Sequence, residues 1–334
     1  MTGPNTGEST ADAPVGARAR VPFDGELIVL ARWVESEGIV SLELGLPTGE
    51  QLPAWEPGAH VDLVLPNGLT RQYSLCGQVG DRKRWRVGVL REPESRGGST
   101  YVHDHLEEGA TLRVRGPRNN FPLLSSPKYV FIGGGIGVTP LLPMIHKAQE
   151  NGADWVLHYG GRSRASMAFR QELECYGERV RCYPQDEVGL PDLDQVLGTP
   201  AESTLVYCCG PAGLIDAVEV RCQRWAKGSL HVERFSASGP AAETDDGPIE
   251  VELRASGKTI TVPAEMSILE AVENEAISVI SSCAEGICGS CETAVLDGEI
   301  DHRDQLLTDD ERAAMDTMMI CVSRAKCGRL VLDL

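Results

Sequence analysis

Four cysteines constrain this chain more than any other feature. Cys283, Cys288 and Cys291 follow the spacing C-x4-C-x2-C within SSCAEGICGSC, and Cys321 follows thirty residues later. This is the ligand spacing of a plant-type [2Fe–2S] site, in which four thiolates converge on two irons and backbone N–H groups turn inward to offset the negative charge. Gly286 and Gly289 allow the tight wrapping that such a loop needs. Zinc is the nearest rival, but structural zinc sites read as two short Cys pairs, and only Cys288 and Cys291 form one here.

The redox compartment agrees with that reading. Eleven cysteines are an odd number, and the opening MTGPNTGESTADAPVGARAR lacks the apolar core of a secretory signal. Residues 1–20 read as a loose tail, the chain as cytoplasmic, and the remaining cysteines as mostly buried free thiols. A net charge of −18 argues against a nucleic-acid partner. No apolar run approaches the length that spans a bilayer, so no membrane segment is expected. The charge is uneven: from Pro248 to the end, seventeen acidic residues stand against seven basic ones, a net −10.

With 334 residues, the chain has room for two or three cores. Residues 21–122 show short alternating apolar runs separated by turn residues, the pattern of a small antiparallel β-barrel. STYVHDHLE is expected to be its one helix, capped by Ser99 or Thr100. From 123 to 235, strands alternate with helices, which predicts an α/β domain with a parallel sheet, including a helix around MAFRQELECY. Residues 236–247, too polar and small to pack a core, read as a linker. From 248 to 334 a hairpin through Ser256 and Gly257, a helix with Ser267 and Glu270 as capping box, and a final strand predict an α+β unit around the cysteine loop.

Two turns in the middle domain suit a nucleotide. GGGIGVTP, holding Gly133, Gly134, Gly135, Gly137 and Thr139, follows a strand and opens a helix, with Thr139 as N-cap and Pro140 at the first helical position. It departs from G-x-G-x-x-G at Val138, and a plain tight turn explains it equally well in isolation. Cys209, Gly210 and Pro211 occupy the same kind of place after another strand; two such turns at strand ends favour a cofactor crevice. In the barrel, Arg71 and a helix start at Gly97, Gly98 and Ser99 suit a phosphate, and Tyr73 suits one face of a planar ring, although a solvated strand arginine accounts for Arg71 alone.

The order of parts, RxYS and GGS, then GGGIGxTP and CGP, then the four-cysteine loop, resembles the phthalate dioxygenase reductase family, which includes vanillate demethylase reductases. The resemblance covers about residues 21–334. It implies a multidomain fold of flavin-binding β-barrel, NAD-binding α/β domain and β-grasp plant-type ferredoxin domain. It also implies hydride transfer from NADH to a flavin, FMN rather than FAD, and single electrons through [2Fe–2S] to a Rieske-type oxygenase or, alternatively, a cytochrome P450. A redox-sensing regulatory protein is the reading of a different class.

By the same resemblance, Arg71, Tyr73, Ser74, Gly97, Gly98 and Ser99 hold the flavin. Gly133, Gly134, Gly135, Gly137 and Thr139 line the pyridine nucleotide, with Tyr159, Arg162 and Ser163 near the adenosine ribose. Ser74, Cys209 and Phe235 stand beside the reacting rings. Cys283, Cys288, Cys291 and Cys321 bind the cluster.

Overall fold

The computed structural model describes residues 23–93, 95–236, 247–326 and 328–334. The expected tail 1–20, and the expected linker apart from Ser236 and Gly247, lie outside the described residues.

The first sheet runs β1 (Phe23–Ser36), β2 (Ile39–Gly45), β3 (His60–Val64), β4 (Thr70–Ser74), β5 (Trp85–Leu90) and β6 (Thr111–Arg118), in the order β4-β3-β6-β1-β2-β5. Every pairing is antiparallel, and a bridge from Leu75 to Val87 brings the two ends together into a barrel. Alternation along the strands fills it: Leu42 and Leu44, Val61 and Leu63, Trp85, Val87 and Val89, Leu112 and Val114 all point inward. The helix Gly98–His105 begins one residue earlier than expected. Its cap is Gly97 at φ 93°, a conformation that neither Ser99 nor Thr100 favours. The Ser99 hydroxyl donates to Ser95 Oγ at 3.0 Å and accepts from Glu92 N at 3.1 Å.

The second sheet is parallel: β7 (Lys128–Gly134), β8 (Asp154–Gly161), β9 (Val180–Pro184), β10 (Thr204–Cys209) and β11 (Leu230–Glu233), ordered β11-β10-β7-β8-β9. Tyr129, Phe131, Trp155 and Tyr207 fill one side of it. The glycine turn after β7 differs from expectation. Gly135–Val138 coil into a 3₁₀ turn and the helix starts at Leu141 with Pro140 as N-cap. Thr139 instead donates backward to the Ile136 carbonyl at 2.9 Å, a local bond that competes with forward capping. The MAFRQELECY segment is helical only over Arg170–Leu173, passing into a 3₁₀ stretch with a kink at Gly177.

The third unit holds β12 (Ile249–Leu253), β13 (Lys258–Val262), β14 (Glu292–Asp297), β15 (Ile300–Asp301), β16 (Thr317–Met319), β17 (Arg324–Ala325) and β18 (Arg329–Leu332). Its main sheet, β13-β12-β18-β14-β16, pairs the first strand parallel with the last. The helix Ile268–Asn274 packs its Leu269 and Val272 into the same core. The expected hairpin and capping box are present: Glu270 N donates to Ser267 Oγ at 3.1 Å, and Ser267 N to Glu270 Oε2 at 2.9 Å. Among the described residues no helix is long and apolar enough to cross a membrane.

Leu42, fully buried in the barrel, tests how far that core stands on packing. Leu42→Ala is expected to cost about 2–5 kcal/mol. Urea unfolding followed by the fluorescence of the buried Trp55 and Trp85 measures it.

Candidate functional site

All three units meet around one cavity of about 420 Å³. The barrel contributes Arg71, Tyr73 and Ser74 from β4, and Ser95, Arg96 and Ser99 from the approach to the helix. The nucleotide domain contributes Ile136, Thr139, Glu233 and Phe235; the cysteine loop contributes Ser282, Cys283, Glu285 and Ile287. Arg71 crosses the first turn of the helix: a β-carbon at Gly98 would stand 2.6 Å from Arg71 Cγ. Burial, and then the neighbouring charge of Arg96, lower the Arg71 pKa, so two guanidinium groups face one end of the cavity. A helix N-terminus and two arginines make that end suited to a phosphate. Burial pushes the Tyr73 phenol up, leaving a neutral ring along the wall.

Glu233 is a site residue that sequence reasoning missed. Burial pushes its pKa from 4.5 to about 8, with the Ser74 hydroxyl pulling the other way. Its Oε2 is buried without a hydrogen-bond partner among the described residues. The available signal was strand alternation, which puts Glu233 and Phe235 of HVERF on the same side at the carboxyl end of β11.

A second cavity, of about 510 Å³, adjoins the first, and Ile136 and Phe235 line both. Gly133, Gly134, Gly135, Gly137, Arg162, Gly210 and Pro211 line it, as the nucleotide reading expects. Gly137 is obligatory for packing: a β-carbon there would lie 2.4 Å from the Cys209 carbonyl oxygen, so only glycine lets the two turns close on each other.

Several expected residues stand elsewhere. The Cys209 side chain is fully buried among Phe131, Tyr207 and their neighbours and lines neither cavity, because strand alternation turns it into the core. Thr139 faces the first cavity, not the second. Ser163 forms a capping box with Ser166, and buried Tyr159 donates to the Ala168 carbonyl at 3.1 Å; neither lines a cavity. Gly97 sits behind the wall and sets the start of the helix. Cys76, Cys208 and Cys222 are buried thiols, as expected, but Cys175 is exposed on the kinked 3₁₀ stretch; Cys327 lies outside the described residues.

The four cysteines come together. Cys288, Cys291 and Cys321 are buried and Cys283 is half-buried. The adjacent thiols of Cys288 and Cys321 draw the Cys283 pKa well down, aided by the N–H groups of Ile287 and Glu285, the latter 3.2 Å from the sulfur. Cys321 likewise draws Cys291 down. Cys283 neighbours both Cys288 and Cys321, and Cys321 neighbours Cys291, so the four sulfurs form one contiguous group that would suit a binuclear cluster. N–H groups aimed at sulfur supply the expected offset of charge. Left-handed backbone at Gly286 (φ 70°) and Gly289 (φ 72°) turns the loop.

Comparison with known proteins agrees. Residues 251–326 match the 2Fe-2S iron-sulfur cluster binding domain family and residues 131–187 the oxidoreductase NAD-binding domain family. The chain is 44% identical over 303 residues to phenoxybenzoate dioxygenase subunit beta of Ectopseudomonas oleovorans, covering 90% of this chain and 94% of that one. The solved phthalate dioxygenase reductase, described as a modular structure for electron transfer from pyridine nucleotides to [2Fe–2S], superposes with a TM-score of 0.70 at 38% identity, over 93% of this chain and 98% of that one. An intact type IV self-sufficient cytochrome P450 monooxygenase superposes with a TM-score of 0.86 at 43% identity, over 93% of this chain; the match spans 41% of that chain.

The fold and site define a modular oxidoreductase with a pyridine-nucleotide domain and a [2Fe–2S] domain. The chain belongs to the phthalate dioxygenase reductase family, as the resemblance of its motifs implies, and is a reductase component of the kind that serves oxygenases.

Glu233, half-buried with its Oε2 shut off from solvent, has a pH signature. A carboxyl whose folded pKa lies above its unfolded value stabilises the fold fully below about pH 4.5, and that contribution is lost as the pH rises through about 8. Glu233→Gln removes the loss. Thermal melts of flavin-free protein are therefore expected to show the variant gaining on the wild type between pH 5 and pH 8, and a constant difference across that window would refute the assignment.

Proposed function

We propose that this protein takes hydride from NADH onto FMN in the first cavity and passes the electrons singly, through a [2Fe–2S] cluster on Cys283, Cys288, Cys291 and Cys321, to a Rieske-type aromatic oxygenase or O-demethylase. The observation that carries the reading is that one cavity is walled by the RxYS strand, by Phe235, which also lines the glycine-rich cavity, and by Cys283 of the four-cysteine loop. When bound, a flavin accepts two electrons together and releases them one at a time, which a nicotinamide and an iron–sulfur centre cannot do between themselves.

The residues divide the work. Arg71 and Ser99 hold the phosphate end, Tyr73 supports a ring face, and Ser74 and Glu233 stand where the ring's polar edge would lie. Gly133, Gly134, Gly135, Gly137, Gly210 and Pro211 let the nucleotide approach the backbone, and Arg162 stands at its ribose end. Phe235, 43% exposed and common to both cavities, occupies the place where a nicotinamide would meet the flavin. Hydride transfer needs no general base; alignment and exclusion of water are the protein's task. FMN rather than FAD is what the order of motifs, shared with the phthalate dioxygenase reductase family, implies.

A cytoplasmic setting follows from the reduced thiols the cluster needs. The net −10 of the C-terminal third suits a basic docking patch on the acceptor. Delivery to a cytochrome P450 is the second reading, favoured by the likeness to a self-sufficient monooxygenase.

Purified protein is expected to be yellow-brown, to release FMN on denaturation, to lose flavin absorbance with NADH, and to give a reduced-cluster EPR signal. A colourless or zinc-loaded protein indifferent to NADH would end this reading. Arg71→Ala is expected to weaken FMN binding about 10- to 100-fold, the loss of a charged hydrogen-bond donor, by fluorescence titration. Electron delivery to the acceptor should slow as salt is added, and indifference to salt would leave the acidic surface a solubilising role only.

A further inference from the structure

Two side chains of the barrel reach across to the cysteine loop, on either side of its tightest arc. Arg96 pairs with Glu285 at 2.6 Å, and Asn120 donates to the carbonyl of Cys288 at 3.1 Å. Glu285 and Cys288 bracket Gly286 and Ile287, so the barrel grips the stretch that follows Cys283 at both ends. Asn120 projects from a braced segment. Just before it Arg118 Nη2 holds both oxygens of buried Asp62 at 2.8 Å, and Asn119 donates to the Pro57 carbonyl at 3.0 Å and accepts from Phe121 N at 3.0 Å. By contrast the Lys227–Asp310 pair, at 3.6 Å and with side chains 85% and 88% exposed, holds the third unit weakly.

We propose that Arg96 and Asn120 form a two-point clasp that positions the cysteine loop for electron transfer from the flavin, acting on the flavin-to-cluster step and not on hydride transfer. The proposal rests on the reading of the first cavity as a flavin site. Electron transfer falls steeply with the gap between donor and acceptor, and the clasp keeps Cys283 at the cavity wall. In the step concerned, one electron leaves the reduced flavin, with a proton released to solvent, and converts one ferric iron to ferrous. The second electron follows once the first has gone to the external one-electron acceptor.

The test uses the holoprotein and the variants Asn120→Ala and Glu285→Gln, singly and together, mixed anaerobically with NADH in a stopped-flow instrument. In Asn120→Ala, a residue that lines neither cavity, flavin bleaching should keep its wild-type rate while cluster reduction slows about fivefold, the loss of one hydrogen bond; in the double variant, where Glu285 also lines the flavin cavity, cluster reduction should slow more than bleaching does. In Asn120→Ala, which removes no charge, the EPR spectrum and midpoint potential of the cluster should be unchanged, which a mere disturbance of the loop would not leave so. Added salt should slow cluster reduction in the wild type and have less effect in Glu285→Gln, whose paired charge is gone. Cluster reduction at the wild-type rate in the double variant would overturn the clasp, as would an equal slowing of flavin bleaching. Failure of NADH to bleach any flavin in the wild type would instead remove the functional reading, and the clasp with it.

Discussion

The structure depends on keeping four sulfur atoms close together in a protein interior. Thiolates repel one another and resist burial, so the loop from Cys283 to Cys291 must supply compensating dipoles, which it does by turning the N–H groups of Glu285 and Ile287 toward Cys283. That demand accounts for the left-handed glycines at 286 and 289, which let the loop wrap the contiguous group of thiols. It also places Cys283 on the outside of the loop, half-buried, where it becomes part of the cavity shared with the barrel.

The rest of the molecule brings two further surfaces to the same place. The barrel presents β4 and the start of its helix, with Arg71 and Arg96 beside the neutral Tyr73. The parallel sheet presents the carboxyl ends of β7, β10 and β11, where two turns pack on each other through Gly137 and where Glu233 and Phe235 emerge. Three arginines, Arg71, Arg96 and Arg234, and the raised-pKa carboxyl of Glu233 beside Ser74 give the cavity a strongly polar lining. A ligand carrying both a phosphate and a planar polar ring suits such a lining.

Much of this was legible in the sequence because it is local. Alternating apolar runs, the Ser256-Gly257 hairpin and the Ser267–Glu270 capping box are decided within a few residues, and all appear as expected. The cysteine spacing is equally local in its first three members. Where a short-range signal had competitors it misled: Gly97 displaced Ser99 as the helix cap, and Thr139 bonded backward to Ile136 instead of capping forward.

The sequence by itself determined the three kinds of unit, the four-cysteine spacing and the glycine turns at two strand ends, since each is a matter of residue type at fixed spacing. Only the tertiary structure decided that Cys209 is sealed in the core, that Glu233 is a site residue, and that Arg96 and Asn120 touch the cysteine loop. Arg96 and Glu285 are 189 residues apart, and Asn120 and Cys288 are 168 apart. Contacts at such separations depend on how finished domains dock, and burial depends on what finally covers a strand; neither is written in the spacing of neighbouring residues.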